Sequence, residues 1–173
     1  MSKKKINTKP EIPLPRYRNN DTIQEFVKAK PSYKNSLKTL HSILIKEGDK
    51  KELFFNKELS LDLDDVERRM GHGQQDNSVD CVLGCLNNIL LMVEIKLRVN
   101  DANNLSKKKL LRKINHSRNL LICNSFKIHG LTIVLLKENK FEQNKNKVFR
   151  LLDNQSNIVE PMTVGLLYQK IFT

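Results

Sequence analysis

Two opposite charges, Glu94 and Lys96, stand inside the apolar run Ile89-Leu90-Leu91-Met92-Val93-Glu94-Ile95-Lys96-Leu97, where a strand core has no structural use for either. A buried charge is costly unless it is paired or holds a metal. Upstream, a second apolar run, Val79-Asp80-Cys81-Val82-Leu83, also carries a carboxylate near its start. Two carboxylates and a lysine on neighbouring strands are residue types suited to metal-dependent phosphodiester cleavage. Alternation along a strand puts Glu94 and Lys96 on one face and Val93, Ile95 and Leu97 on the other. From Ile89 to Val93 apolar residues fill both parities, the pattern of a central strand covered on both sides. On a solvated edge strand the same pair would be commonplace and worth little. The spacing [DE]xK also occurs at Asp49-Lys50-Lys51 and Glu138-Asn139-Lys140, neither of them in an apolar strand.

The elements that must position these residues follow from periodicity. Ile23, Phe26 and Val27 recur at helix spacing, as do Leu37, Leu40, Ile43 and Leu44, with Pro31 and Gly48 as punctuation. A third helix is expected from Asp49 through Leu53 and Phe54 to Leu59, and a short one over 63–70, where Val66, Glu67 and Met70 share a face before Gly71-His72-Gly73. The period then changes to that of strands, 79–84 and 89–98, a hairpin around Leu86-Asn87-Asn88. Asn103 to Ser106 supply a helix cap for the stripe Leu110, Leu111, Ile114, Leu121 and Ile122. A strand over 131–136 follows, then a strand candidate at 148–152 and a final amphipathic helix over 162–172 after Pro161. Helices, hairpin, helix, strand is the order of an α/β (α+β) fold with a mixed central sheet flanked by helices.

This arrangement resembles the PD-(D/E)xK nuclease superfamily, the restriction-endonuclease-like fold, over roughly residues 50–136, with the preceding helices as an N-terminal extension. Asp80 falls at the family's first Asp, with Val79 where the motif's name has Pro, and Glu94 and Lys96 fall at (Asp/Glu)-x-Lys. Glu67 best fits the acidic helix position, in competition with Glu52, Glu58 and Asp65. The resemblance implies that Asp80 and Glu94, with the Ile95 carbonyl, ligate Mg²⁺ or Mn²⁺, hard cations that favour oxygen donors. It implies that Lys96 orients the attacking water and offsets transition-state charge, and that Glu67 completes or tunes the metal site. The function it implies is metal-dependent hydrolysis of phosphodiester bonds in nucleic acid, DNA ahead of RNA. The competing reading is a basic module that binds nucleic acid or a partner without cleaving it.

Charge supports a polyanionic partner. The 173 residues hold 31 Lys and Arg against 19 Asp and Glu, a formal charge of +12. Only eight of the 31 are Arg, however, and a Lys/Asn/Ile-rich bias can arise from codon usage. Distribution says more: residues 47–67 carry eight acidic and three basic side chains, and residues 98–118 seven basic and one acidic. Lys107, Lys108 and Lys109 open a helix, with Arg112 and Lys113 behind them, and cations there oppose the helix dipole. A phosphate backbone docked at that helix start would account for them, and so would a solvated basic face. Residues 1–20, with Pro10, Pro13, Pro15 and a basic excess, read as an extended or disordered arm ahead of one domain over 21–173.

Cys81, Cys85 and Cys123 are odd in number and lack CxxC spacing, so they read as reduced core thiols and not as a disulfide or zinc framework. No apolar run reaches the length of a membrane span, and a cytoplasmic protein is expected. His41 reads as structural and His129 sits in a turn, while His72 and His116 lie where they could reach a substrate; HExxH, GxSxG and a phosphate-binding glycine loop are absent. The sequence leaves a homodimer open.

Hairpin register supplies the sharpest test. Directly opposed residues have a constant sum, and Asp80 with Glu94 requires 174. A three-residue loop, 86–88, pairs Cys85 with Ile89 and gives that sum, so that the two carboxylates share a face about 5 Å apart at Cβ. A two-residue Asn87-Asn88 turn would put them on opposite faces unless a bulge, best placed at Gly84, restored parity.

Overall fold

A computed structural model describes residues 12–49, 54–71, 77–153 and 157–173. Along the chain come α1 (Asp21–Ala29), β1 (Leu37–Thr39), α2 (Leu40–Lys46), β2 (Leu59–Asp62), α3 (Leu63–Arg69), β3 (Cys81–Cys85) and β4 (Ile89–Lys96). They are followed by α4 (Lys107–Leu121), β5 (Lys127–Ile128), β6 (Thr132–Leu136), α5 (Phe141–Leu151), β7 (Val159–Met162) and α6 (Val164–Leu167), which runs on into a π-helical turn, Tyr168–Phe172. The strands form a seven-stranded sheet in the order β1-β2-β3-β4-β6-β7, with β5 alongside the start of β4. Strands β1 to β4 run antiparallel, whereas β4, β6 and β7 are parallel. The architecture is the mixed sheet flanked by helices that the order of patterns predicts.

Strand β4 is central, and its two parities enter two separate cores. Leu90 and Met92 face Ile23 and Phe26 of α1, Val66 of α3, Leu110 and Ile114 of α4 and Val148 of α5. Leu91, Val93 and Ile95 face Leu40, Ile43 and Leu44 of α2 together with Leu167 and Ile171 at the C-terminus. Burial on both faces explains why the strand reads as a continuous apolar run. Glu94 and Lys96 continue the parity that looks toward α4. Because β4 and β6 are parallel, they need a crossover, and the 15-residue α4 provides it, bringing its buried stripe over the charged pair.

Several local expectations are corrected. The helix expected over 49–59 is not formed by the described residues 54–59, and residues 50–53 lie outside the described residues; Leu59–Asp62 instead pairs with β1 and β3. Leu37 belongs to β1, because Thr39 begins α2 by accepting a hydrogen bond from the Ser42 amide at 3.3 Å. The segment 148–152 falls in α5 and its end, a case where a short apolar run fits either period. Strand β7 is not expected from the sequence, since Pro161 argues against a strand, and the sheet accommodates it on an edge.

Residues 12–20 follow an extended path that is fastened to the domain. The Tyr17 amide donates to the Ile171 carbonyl at 2.8 Å, and the Leu86 amide donates to the Arg16 carbonyl at 2.8 Å. Leu14 and Tyr17 pack against the α2 side of the sheet. Of the expected arm, residues 1–11 lie outside the described residues. Among the described residues no helix is long and apolar enough to cross a membrane.

Candidate active site

The hairpin closes through a three-residue turn, Leu86–Asn88, with Asn87 and Asn88 at φ 60° and 55°. Asparagine tolerates that left-handed region better than most residues. Cys85 pairs with Ile89 and Cys81 with Val93, so opposed residues sum to 174 and Asp80 falls opposite Glu94. No bulge is involved, since Gly84 pairs with Leu90 in unbroken register. The glycine answers a different demand. A Cβ at residue 84 would sit 2.4 Å from the Ile23 backbone nitrogen, so only glycine lets α1 lie this close to the sheet.

Asp80 sits immediately before β3, and its Oδ2 accepts a hydrogen bond from the Ile95 amide at 2.5 Å. In an antiparallel ladder the N–H and C=O of one residue point toward the same neighbour, so the Ile95 carbonyl is directed to that side as well. Glu94 is completely buried. Its Oε1 receives two ammonium groups, Lys96 Nζ at 2.5 Å and Lys113 Nζ at 2.9 Å. Its Oε2, also buried, has no hydrogen-bond partner among the described residues. Burial pushes the Asp80 carboxyl well above the usual carboxylate range, and the Glu94 charge pushes it further; the Ile95 amide, Lys113 and Lys96 pull the other way.

The acid that α3 brings to Asp80 is Asp64. The Leu63 amide, at the start of α3, donates to the Asp80 carbonyl at 3.1 Å and ties the two segments together. One carboxylate oxygen each from Asp64, Asp80 and Glu47, the residue just after α2, lie within 4.8 Å of one another. Lys46 borders this group, its Nζ 3.8 Å from Asp64 and 3.7 Å from Glu47. Burial raises the Asp64 carboxyl to about 6, opposed by Lys46 and Lys113 and reinforced by Asp62 and Glu47.

Glu67, the sequence's first choice for the helix acid, is buried on α3 but does not join this group; its carboxylate meets His116 Nε2 of α4. Asp65 belongs to a separate network with Lys38, Arg68 and Arg69, while Asp62 caps α3 and pairs with Lys38 at 2.5 Å. Glu58 precedes β2, at the end opposite α3, its Oε2 accepting from the Lys57 amide, and Glu52 and His72 lie outside the described residues.

A cavity of about 330 Å³ opens beside Glu94 and Lys96, lined also by Asn104, Ser106, Lys109 and Lys113. Helix α4 begins here, capped by Ser106 Oγ accepting from the Lys109 amide at 3.3 Å. The five cations of the first two turns of this helix divide into groups. Lys108 and Arg112 point to solvent, Lys109 lines the cavity, and Lys107 pairs with Asp153 of the α5 end. Lys113, which the sequence groups with phosphate-facing cations, is turned inward onto Glu94 and is only 3 % exposed. Helical periodicity does show this: Lys113 shares the buried stripe with Leu110, Ile114, Ser117 and Leu121.

The donor set suits a hard divalent cation. The three grouped oxygens, from Glu47, Asp64 and Asp80, are hard donors; Glu94 is not one of that group, and its unpartnered buried Oε2 is a further acceptor that a cation would satisfy. Asp64 and Glu47 were missed in the sequence for different reasons. Asp64 is one of several acids in one turn that periodicity does not separate, and Glu47 precedes the segment carrying the motif. A comparison with protein-family models, curated proteins and solved structures finds no match to this chain.

Proposed function

We propose that this protein is a metal-dependent nuclease that hydrolyses phosphodiester bonds, with DNA the favoured substrate. The observation that carries the reading is the Glu94 carboxylate, completely buried opposite Asp80, with two lysines on one oxygen and none of the described residues on the other. Such a group is expensive to bury for stability alone. The order of elements around it, an acid on a helix, an antiparallel hairpin, a helix and a parallel strand, is similar to that of the PD-(D/E)xK superfamily.

In this reading Asp80, Glu94 and the Ile95 carbonyl hold Mg²⁺ or Mn²⁺, with Asp64 as the acid supplied by α3 in place of Glu67. A bound cation would polarise the phosphate and lower the pKa of a water. Lys96, 26 % exposed at the end of β4, reaches the cavity and orients the water or balances charge developing on the phosphate. Lys108 and Arg112 on the outer face of α4 meet the nucleic-acid backbone, a contact that sets position and not sequence.

Incubation of the full chain with plasmid and with single-stranded DNA and RNA tests the reading. Mg²⁺ or Mn²⁺ should support cleavage, Ca²⁺ should not, and Lys96→Ala should lose turnover while still binding the cation. DNA retention without cleavage under every cation would replace the enzyme with a non-catalytic binding module. Undiminished cutting by Lys96→Ala would remove the assigned mechanism.

A further inference from the structure

We infer that Lys113 is a positioning residue of this site, the fixed counter-ion that holds Glu94 by Oε1 and thereby releases Lys96 to serve the substrate. The inference rests on the nuclease reading and assigns a division of labour between the two lysines.

Both ammonium groups share one oxygen of Glu94, yet their surroundings differ. The Lys113 side chain is 4 % exposed and emerges from the middle of α4 among Leu110, Ile114 and Ser117, all buried. Both lysines border the cavity, but the Lys96 side chain is 26 % exposed and stands on the last residue of β4. Lys96 can therefore swing away from Glu94 into that space, while Lys113 is held by packing. If Lys96 were the sole counter-ion, each departure would leave a carboxylate buried without compensation, which is strongly unfavourable. With Lys113 in place the carboxylate stays paired and oriented throughout. The Lys113 charge also acts on Asp80 and Asp64, so one ammonium group bears on Glu94 and on two acids of the neighbouring group.

The variants are Lys113→Met, which keeps length and loses charge, and Lys113→Arg, which keeps charge, both in the full chain. In Lys113→Met, Lys96 becomes the only counter-ion and stays on Glu94. Cleavage of plasmid DNA in saturating Mg²⁺ should then fall at least about tenfold in kcat with KM changed little, and Lys113→Arg should recover most of the loss. A second readout needs no catalysis: trace acetylation followed by mass spectrometry. Wild-type Lys96 should label at least tenfold faster than Lys113, and Lys96 should become protected in Lys113→Met. Turnover and Lys96 labelling both at wild-type levels in Lys113→Met would overturn the inference. Lost turnover with unchanged Lys96 labelling would also overturn it, since Lys113 would then act on the substrate itself. Should Lys113→Met fail to fold, the wild-type contrast decides, equal labelling of the two lysines being the refuting result. A wild-type chain that cleaves nothing overturns the nuclease reading and this inference with it, whereas an active wild type with an unaffected Lys113→Met overturns the inference alone.

Discussion

Replacing Asp64 by Asn should make the cation-free protein more stable, and the size and pH dependence of the gain follow from the site. Asp64 is raised from 3.8 to about 6, chiefly by burial. A gap of that size corresponds to about 3 kcal/mol of penalty on the ionised form in the folded state. The side chain is 24 % exposed, so solvent screens part of that penalty. The Lys46 attraction is already contained in that value, so asparagine gives up in addition only a negative charge in the first turn of α3, worth about 0.3–1 kcal/mol. The net gain is about 1–2 kcal/mol, or roughly 2–8 °C in Tm for a chain of this length.

The sign with pH is fixed. An acid whose folded value is raised favours the folded state fully below its unfolded value, and that contribution is lost as pH rises through the folded value. Wild type should therefore lose ground between about pH 4 and pH 6 through this residue, and Asp64→Asn should not. Melting curves in EDTA at pH 4, 5, 6 and 7.5 read the difference directly. The two proteins should coincide at pH 4 and separate by pH 7.5. Addition of Mg²⁺ should raise wild type more than the variant, because only wild type keeps the α3 carboxylate. A variant that melts below wild type at pH 7.5, or a difference that ignores pH, would refute the assignment of Asp64 to a crowded acidic site.

Two other expectations concern the scaffold and the basic face. Gly84→Ala should destabilise by about 1–3 kcal/mol, since its methyl group would collide with the Ile23 backbone, which has nowhere flexible to go; denaturant unfolding measures it, and a neutral result would mean that α1 is not seated as described. Neutralising Lys108 and Arg112 together should lower the slope of log binding constant against log salt by about two for duplex DNA, and an unchanged slope would take the outer face of α4 out of the interface.

How much was legible in the residues depended on whether the signal was local. The hairpin could be read to the register, because alternating burial and a loop of counted length are both written in a contiguous stretch, 79–97. The helix α4 and the strand β6 were equally plain, each carrying one unambiguous period. The acid that accompanies Asp80 was not, because Asp62, Asp64, Asp65 and Glu67 crowd into six residues and their fates depend on what other elements bring. Asp62 and Asp65 are claimed by Lys38 of β1, Glu67 by His116 of α4, and Asp64 is left beside Asp80. Charge alone groups Lys113 with the phosphate-facing cations, whereas its place on the apolar stripe and its burial turn it inward. Glu47 reaches the site only through the way α2 packs across the far side of the sheet, which no spacing in the chain records.

The exposed turn Leu86–Asn88 joins two strands at the end of the hairpin remote from Asp80, and such turns are ordinarily where a lineage can gain or lose residues without harm. Here the length of the turn carries parity. Loss of one residue would move every side chain of one strand to the other face relative to its partner, separating Asp80 from Glu94 while leaving both amino acids in the gene. An insertion of two would leave the facing unchanged. Without a compensating bulge the turn therefore tolerates length changes in even steps only, a constraint set by an element that touches none of the chemistry.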